Sequence, residues 1–120
     1  MLLKEIKQDM PRKWHGWRLD KLWVDDVRDP PYRRYREYDI ARTYDDAVQR
    51  LNNHYYDEVF LDHDLGDFKD GKEHTGYDVL LHIVQMKQEG KRIPQKYTLL
   101  TANPVGRQRM QGVIDRYLSS

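Results

Sequence analysis

Short apolar runs that end in acidic or hydroxyl side chains alternate along this chain with segments whose apolar residues recur every three or four positions. Leu22-Trp23-Val24 runs into Asp25-Asp26, so Lys21–Val27 suits a buried strand with an acidic C-terminal edge. Asp29-Pro30-Pro31 stops it, because proline has no N–H to give a ladder. A weaker strand fits Glu37–Arg42. Thr43, followed three residues later by Asp46, reads as a capping box. The helix it opens aligns Tyr44, Ala47, Val48, Leu51 and Tyr55 on one face. Glu58–Leu61 predicts a third strand, which empties into Asp62-His63-Asp64-Leu65-Gly66, and residues 66–75 read as a polar loop. A helix follows over Gly76–Glu89, with Tyr77, Leu80, Leu81 and Val84 inward, Asp78, His82, Gln85 and Glu89 outward, and Gly90 as its stop. Lys96–Thr101 predicts a fourth strand. Asn103 caps the last helix, Pro104 takes its first position, and Met110, Val113, Ile114 and Tyr117 form its inner stripe.

Strands alternating with helices over short connections imply a three-layer α/β fold, a mainly parallel sheet of about four strands with helices on both faces. The 120 residues make one domain, expected over 21–120 behind an extension over 1–20. In the extension Leu2–Gln8 suits a short helix ended by Pro11, and Trp14 and Trp17 are expected to pack over a sheet edge.

Composition narrows the classes. Basic and acidic residues, 21 and 20, nearly cancel, so the whole-molecule field is not that of a polyanion binder and no DNA sequence recognition is expected. The absence of cysteine excludes thiolate metal sites and suits a reducing, cytoplasmic setting. No run is long enough to span a bilayer, and the first residues do not form a signal peptide, so no membrane partner is expected.

In parallel sheets, ligands bind outside the carboxyl ends of the strands. Three predicted strands end in Asp25-Asp26, Asp62-His63-Asp64 and Thr101-Ala102-Asn103. Carboxylates brought together there repel each other and raise one another's pKa unless a cation joins them. Magnesium, which takes a few carboxylate oxygens plus water and phosphate, meets that need. A plainer alternative is that Asp25 and Asp26 cap their loop and pair with Arg28. Thr101 is placed to donate to a phosphoryl oxygen. The helix capped by Asn103 would aim free backbone N–H groups at the same edge, and Arg107 in its first turn is placed to clamp a phosphate.

These features resemble response-regulator receiver domains in LWVDDVR, VFLDHDLG, TGYDVL and LLTA. The resemblance implies magnesium on Asp25 and Asp26, and Asp62 in the phosphoacceptor position. Receivers continue into a fifth strand with a phosphoryl-pairing lysine, however, and no such lysine follows here. A closer resemblance is to the receiver-derived cyclic-phosphate-processing (cREC) family, on Leu22–Pro31, Leu61–Gly66, Thr75–Asp78 and Thr101–Met110, within roughly residues 21–118. That resemblance implies a receiver-like fold without the fifth strand, and a metal-dependent phosphoesterase for cyclic phosphate ends of RNA or nucleotides. It also implies association with RNA ligases or end-healing enzymes in a bacterial cell or phage-infected host.

Opening a 2′,3′-cyclic phosphate needs an in-line water, charge stabilisation on the phosphoryl oxygens and a proton for the departing ribose oxygen. Asp25, Asp26 and Asp62 are the expected metal ligands. Asp62, His63 and Asp64 are the catalytic candidates. Arg28, Thr101, Asn103 and Arg107 are the phosphate-binding candidates. His63 joins the site only if the chain has left the strand by residue 63, because period-two alternation would otherwise turn it away from Asp62. His74 is the reserve, and a transient phospho-Asp62 is another route. Pro30–Arg36, with interleaved tyrosine and arginine, suits single-stranded RNA or a solvated loop. Haloacid-dehalogenase phosphatases share the strand followed by Asp-x-Asp but need a lysine and an acidic pair after the Thr strand, which this chain lacks. The non-enzymatic alternative is a degenerate receiver that binds metal, phosphate or a protein partner without chemistry.

Overall fold

Four strands, Lys21–Val24 (β1), Tyr38–Ala41 (β2), Glu58–Leu61 (β3) and Lys96–Leu99 (β6), form one all-parallel sheet in the order β2-β1-β3-β6. The computed structural model describes residues 21–30, 38–65, 67–69 and 72–119. The expected helix at Leu2–Gln8, the placement of Trp14 and Trp17, and the Tyr/Arg stretch after Pro30 lie outside them. Register is uniform: Trp23 is paired with Ile40 on one side and Phe60 on the other, and Phe60 with Thr98. All four strands therefore end level, at one edge.

Helices Tyr44–Asn53 (α1), Gly76–Gln88 (α2) and Pro104–Val113 (α3) come after β2, β3 and β6 in the chain, the second of them behind a short hairpin. α1 packs on α2 and α2 on α3, so the three form a single layer. Leu22, Val24, Val59, Leu61 and Leu99 of the sheet meet Ala47, Leu51, Val79, Leu80, Ile83, Met86, Met110 and Val113 of the helices in one core. The alternate strand positions carry a second apolar group. Trp23 stacks on Phe60 with ring centroids 5.5 Å apart, and Tyr38 meets both edge-on. The receiver-like α/β architecture expected from the alternation is present. Among the described residues, however, no helix covers the Trp23 face.

Local signals set the boundaries. Thr43 accepts from the Asp46 N–H to start α1, and Thr75 and Asp78 form a reciprocal capping box on α2. Gly90 closes the α2 turn at φ 81°, a left-handed conformation suited to glycine. Four expectations need correction. β1 and β6 stop at Val24 and Leu99, before the polar residues first assigned to them. The polar stretch 66–75 holds a two-stranded antiparallel hairpin, Asp67–Lys69 (β4) with Lys72–His74 (β5). α2 buries Val79, Leu80, Ile83 and Met86, while Leu81 is exposed. Finally, α3 passes into a π turn over Ile114–Leu118, which buries Leu118 and leaves Tyr117 exposed. The wider turn adds a residue per repeat, shifting the apolar phase by one. No described helix is long and apolar enough to cross a membrane.

Candidate metal and phosphate site

The level strand ends determine what meets at the carboxyl edge. The ladder continues one step past each strand: the Asp25 N–H donates to Ala41 O, the Asp62 N–H to Val24 O and the Leu100 N–H to Leu61 O. Asp25 and Asp62 are thus held side by side by the same bonds that build the sheet. One carboxylate oxygen from each of Asp25, Asp26 and Asp62 lies within 4.8 Å of the other two. Asp25 is fully buried and Asp62 nearly so, whereas Asp26 is partly exposed at the mouth.

Asp25 divides its two oxygens. Oδ1 accepts from the N–H groups of Val27 and Arg28, both at 3.0 Å, which turns the chain and ends β1. Oδ2 is buried without a hydrogen bond. Arg28 Nε stands 3.1 Å from it as an ion pair, outside hydrogen-bond geometry, and Arg28 Nη2 is 3.6 Å from Asp62 Oδ2. The loop-capping reading holds for Asp25, whose Oδ1 caps the turn while its Oδ2 pairs with Arg28. A buried carboxylate oxygen lacking a donor is what a hard cation would satisfy. The residues present fit magnesium or a similar ion.

Burial, and next the charge of Asp25, raise the Asp62 pKa above the ordinary carboxylate range. The His63 N–H, which donates to Asp62 Oδ1 at 2.8 Å, and the Arg28 guanidinium partly offset this.

Because β3 stops at Leu61, His63 is on a loop and free of strand alternation. Its ring lies against the first turn of α3, where a Cβ on Gly106 would come within 2.7 Å of two ring carbons. His63 Nδ1 and Asp64 Oδ1 are 2.9 Å apart, and the Asp64 side chain is largely exposed. Asp64 is outside the three-carboxylate cluster. His74 stacks on Tyr44 at 4.5 Å between centroids, with Nδ1 3.9 Å from Asp78 Oδ2.

Thr101 is buried at the same edge, and its hydroxyl oxygen accepts from the Asn103 N–H at 3.0 Å. Asn103 Oδ1 accepts from the N–H groups of Val105 and Gly106. With Pro104 lacking an N–H and the Arg107 N–H given to Asn103 O, the start of α3 offers no free donors. The expected row of open N–H groups is absent because the cap consumes it. Arg107 Nη1 donates to Leu99 O and Thr101 O, fastening its guanidinium to the strand end.

Three supports escaped sequence reasoning. Trp23 Nε1 and Arg42 Nη1 both donate to Arg28 O, at 2.9 and 2.8 Å, and Arg42 Nη1 also reaches Asp25 O. Arg42 further pairs with Asp29. Gly76 lies so close that a Cβ there would fall 2.0 Å from Asp62 O, and its N–H donates to His63 O. Only the glycine in Thr75-Gly76-Tyr77-Asp78 gave a sequence signal, and spacing alone assigns it no neighbour.

The model of the cyclic-phosphate processing receiver domain matches residues 20–116, nearly the whole chain. This chain belongs to that family. The cREC match covers every strand of the parallel sheet and all three acidic-cluster aspartates. A solved chain described as yeast Spc42 trimeric coiled-coil residues 181–211 fused to another structure is similar, with a TM-score of 0.57 and 21% identity. That likeness covers 80% of the cREC chain and 62% of the solved one, and at this identity it bears on fold alone. No curated protein matches the sequence.

Proposed function

We propose that this cREC domain is a metal-dependent phosphoesterase that opens cyclic phosphate ends of RNA or nucleotides. The observation that carries the reading is the buried Asp25 Oδ2, without a hydrogen bond, inside a three-carboxylate cluster at the ligand-binding edge of a parallel sheet. Asp25, Asp26 and Asp62 would hold a divalent ion, with magnesium best suited to oxygen ligands. When bound, that ion supplies charge for the phosphoryl oxygens and acidifies water.

The chain's own groups supply the remaining needs. In hydrolysis an oxygen–phosphorus bond forms from water, one ribose oxygen–phosphorus bond breaks, and a proton passes to the leaving oxygen. Arg28, half-exposed beside the carboxylates, is suited to the phosphoryl oxygens. The Thr101 hydroxyl, already accepting from Asn103, retains its hydrogen for a phosphoryl oxygen. Asp64 at Nδ1 orients the His63 imidazole, leaving Nε2 to move the proton. Arg107 and Asn103 contribute by fixing the β6–α3 loop, through Nη1 of the one and Oδ1 of the other. The association with RNA ligases or end-healing enzymes that the resemblance implies belongs to this reading.

The test is incubation with magnesium and an oligonucleotide ending in a 2′,3′-cyclic phosphate, followed by separation of cyclic and opened ends. Turnover is expected, and Asp62→Asn should lower it by about a hundredfold or more, the scale of removing a group that manages transition-state charge. Absence of turnover with every divalent metal, despite retained binding, would assign the chain to the non-catalytic module instead.

A further inference from the structure

We propose that Arg28 is the site's internal cation in the metal-free protein, and that it moves from the carboxylates to the phosphate when a divalent ion takes their oxygens. This rests on the phosphoesterase reading and adds an order of events to it.

Three features of Arg28 point this way. First, it is the one cation among the described residues paired with Asp25 and Asp62, and it approaches the Oδ2 of each. Without it, two buried carboxylates would stand beside Asp26 uncompensated. Second, the contact is poor for an arginine. The contact with Asp25 fails hydrogen-bond geometry, the 3.6 Å approach to Asp62 is long, and half of the side chain is open to solvent. A guanidinium built to stay would be expected to form a two-pronged fork on one carboxylate. Third, the backbone of Arg28 is fixed although its head is not. Its N–H donates to Asp25 Oδ1, and its C=O accepts from both Trp23 and Arg42. Only the side-chain torsions are left to move, so the head can leave without disturbing the loop that presents Asp25.

The consequence is a thermodynamic coupling. Arg28 opposes divalent-ion binding while it sits on the oxygens, and a phosphate at the mouth relieves that opposition by giving the guanidinium a new partner. Each ligand then tightens the other by the same factor.

The experiment titrates Mn2+ into the full chain by electron paramagnetic resonance, with and without inorganic phosphate, for the parent, Arg28→Gln and Arg28→Met. Arg28→Gln is expected to bind Mn2+ about three- to tenfold more tightly than the parent, as befits removal of a partly screened competing charge. Phosphate should strengthen Mn2+ binding more in the parent than in either variant, where only the direct attraction between ion and phosphate remains. Unchanged or weaker Mn2+ binding in the variants overturns the proposal, as does phosphate coupling as large in them as in the parent. Arg28→Met serves if the glutamine variant unfolds by circular dichroism. Asp25→Asn separates the two levels: if it binds Mn2+ as the parent does, the metal-site reading fails, and the Arg28 proposal falls with it. Loss in Asp25→Asn without gain in the Arg28 variants overturns the Arg28 proposal alone.

Discussion

Asp62 carries opposite demands at the scale of a single residue. Its carboxylate is nearly buried, faces the charge of Asp25, and has a pKa raised above the ordinary value. A folded pKa above the unfolded one means that, at neutral pH, ionised Asp62 disfavours the metal-free fold, and that this penalty fades as pH falls through the folded pKa. Asparagine keeps the Oδ1 that accepts from the His63 N–H and removes the charge. Asp62→Asn is therefore expected to stabilise the metal-free protein by about 1 kcal/mol while lowering metal-dependent turnover by about a hundredfold or more. Urea denaturation with EDTA present checks it, and a lower midpoint in the variant would show that Arg28 more than compensates the charge. The position of Asp62 was legible in the sequence because an apolar strand ran directly into it. The supports from Arg42 and Trp23 were not, since their targets are backbone oxygens, which have no residue code.

Among the secondary-structure elements, the α1–α2 contact holds a titrating pair. His82 is half-buried, and its Nε2 lies 3.0 Å from Asn52 Oδ1, an acceptor that requires the proton on that nitrogen. Burial first, and then Lys91, keep its pKa below that of free imidazole, with Glu89 opposing. Above pH ~6.5, the unperturbed value, the group is largely neutral in both states and has little effect. Below it the unfolded chain takes the proton before the folded one does, so stability falls as pH drops through the unfolded pKa. The denaturation midpoint is expected to fall more steeply from pH 7 to pH 5 in the parent than in His82→Gln. Equal slopes would mean that the helix contact opens enough to solvate the imidazole. Reading α2 as a face with Leu81 inward went astray for a definite reason. Seven of its positions, from Tyr77 to Met86, are apolar or aromatic, so more than one stripe fits and the register was decided by packing on α1 and α3. The β4–β5 hairpin was invisible because its segment lacks the apolar alternation that marks a half-buried strand.

For the molecule as a whole, the all-parallel topology does the assembling. Uniform register brings residues 25, 62 and 101 from three distant parts of the sequence to one edge without any local motif having to encode their meeting. The fold class and edge were legible because alternation and right-handed crossovers leave few topologies. That the described helices all return on the face opposite Trp23 was not, because periodicity does not say on which side of a sheet a helix returns. The near-neutral net charge leaves the acidic cluster as a local feature, so ion binding should act on global stability through that cluster alone. Magnesium at a hundredfold excess over its dissociation constant is expected to add about 2.7 kcal/mol to unfolding. Calorimetry should show the melting temperature rising with magnesium, returning with EDTA, and staying flat in Asp25→Asn. A rise that persists in Asp25→Asn would place the binding elsewhere.

Gly76 and Gly106 both press on the Asp62-His63 loop, one against a backbone carbonyl and the other against an imidazole ring. Neither has a side chain that could touch a substrate, yet each is a spacer whose thickness sets where a reactive group sits. When related chains are compared, the aspartates alone are thus an incomplete signature. A chain that keeps all three acids but carries a bulkier residue at either glycine has had its loop pushed aside, and its inventory of functional groups would overstate what it can do.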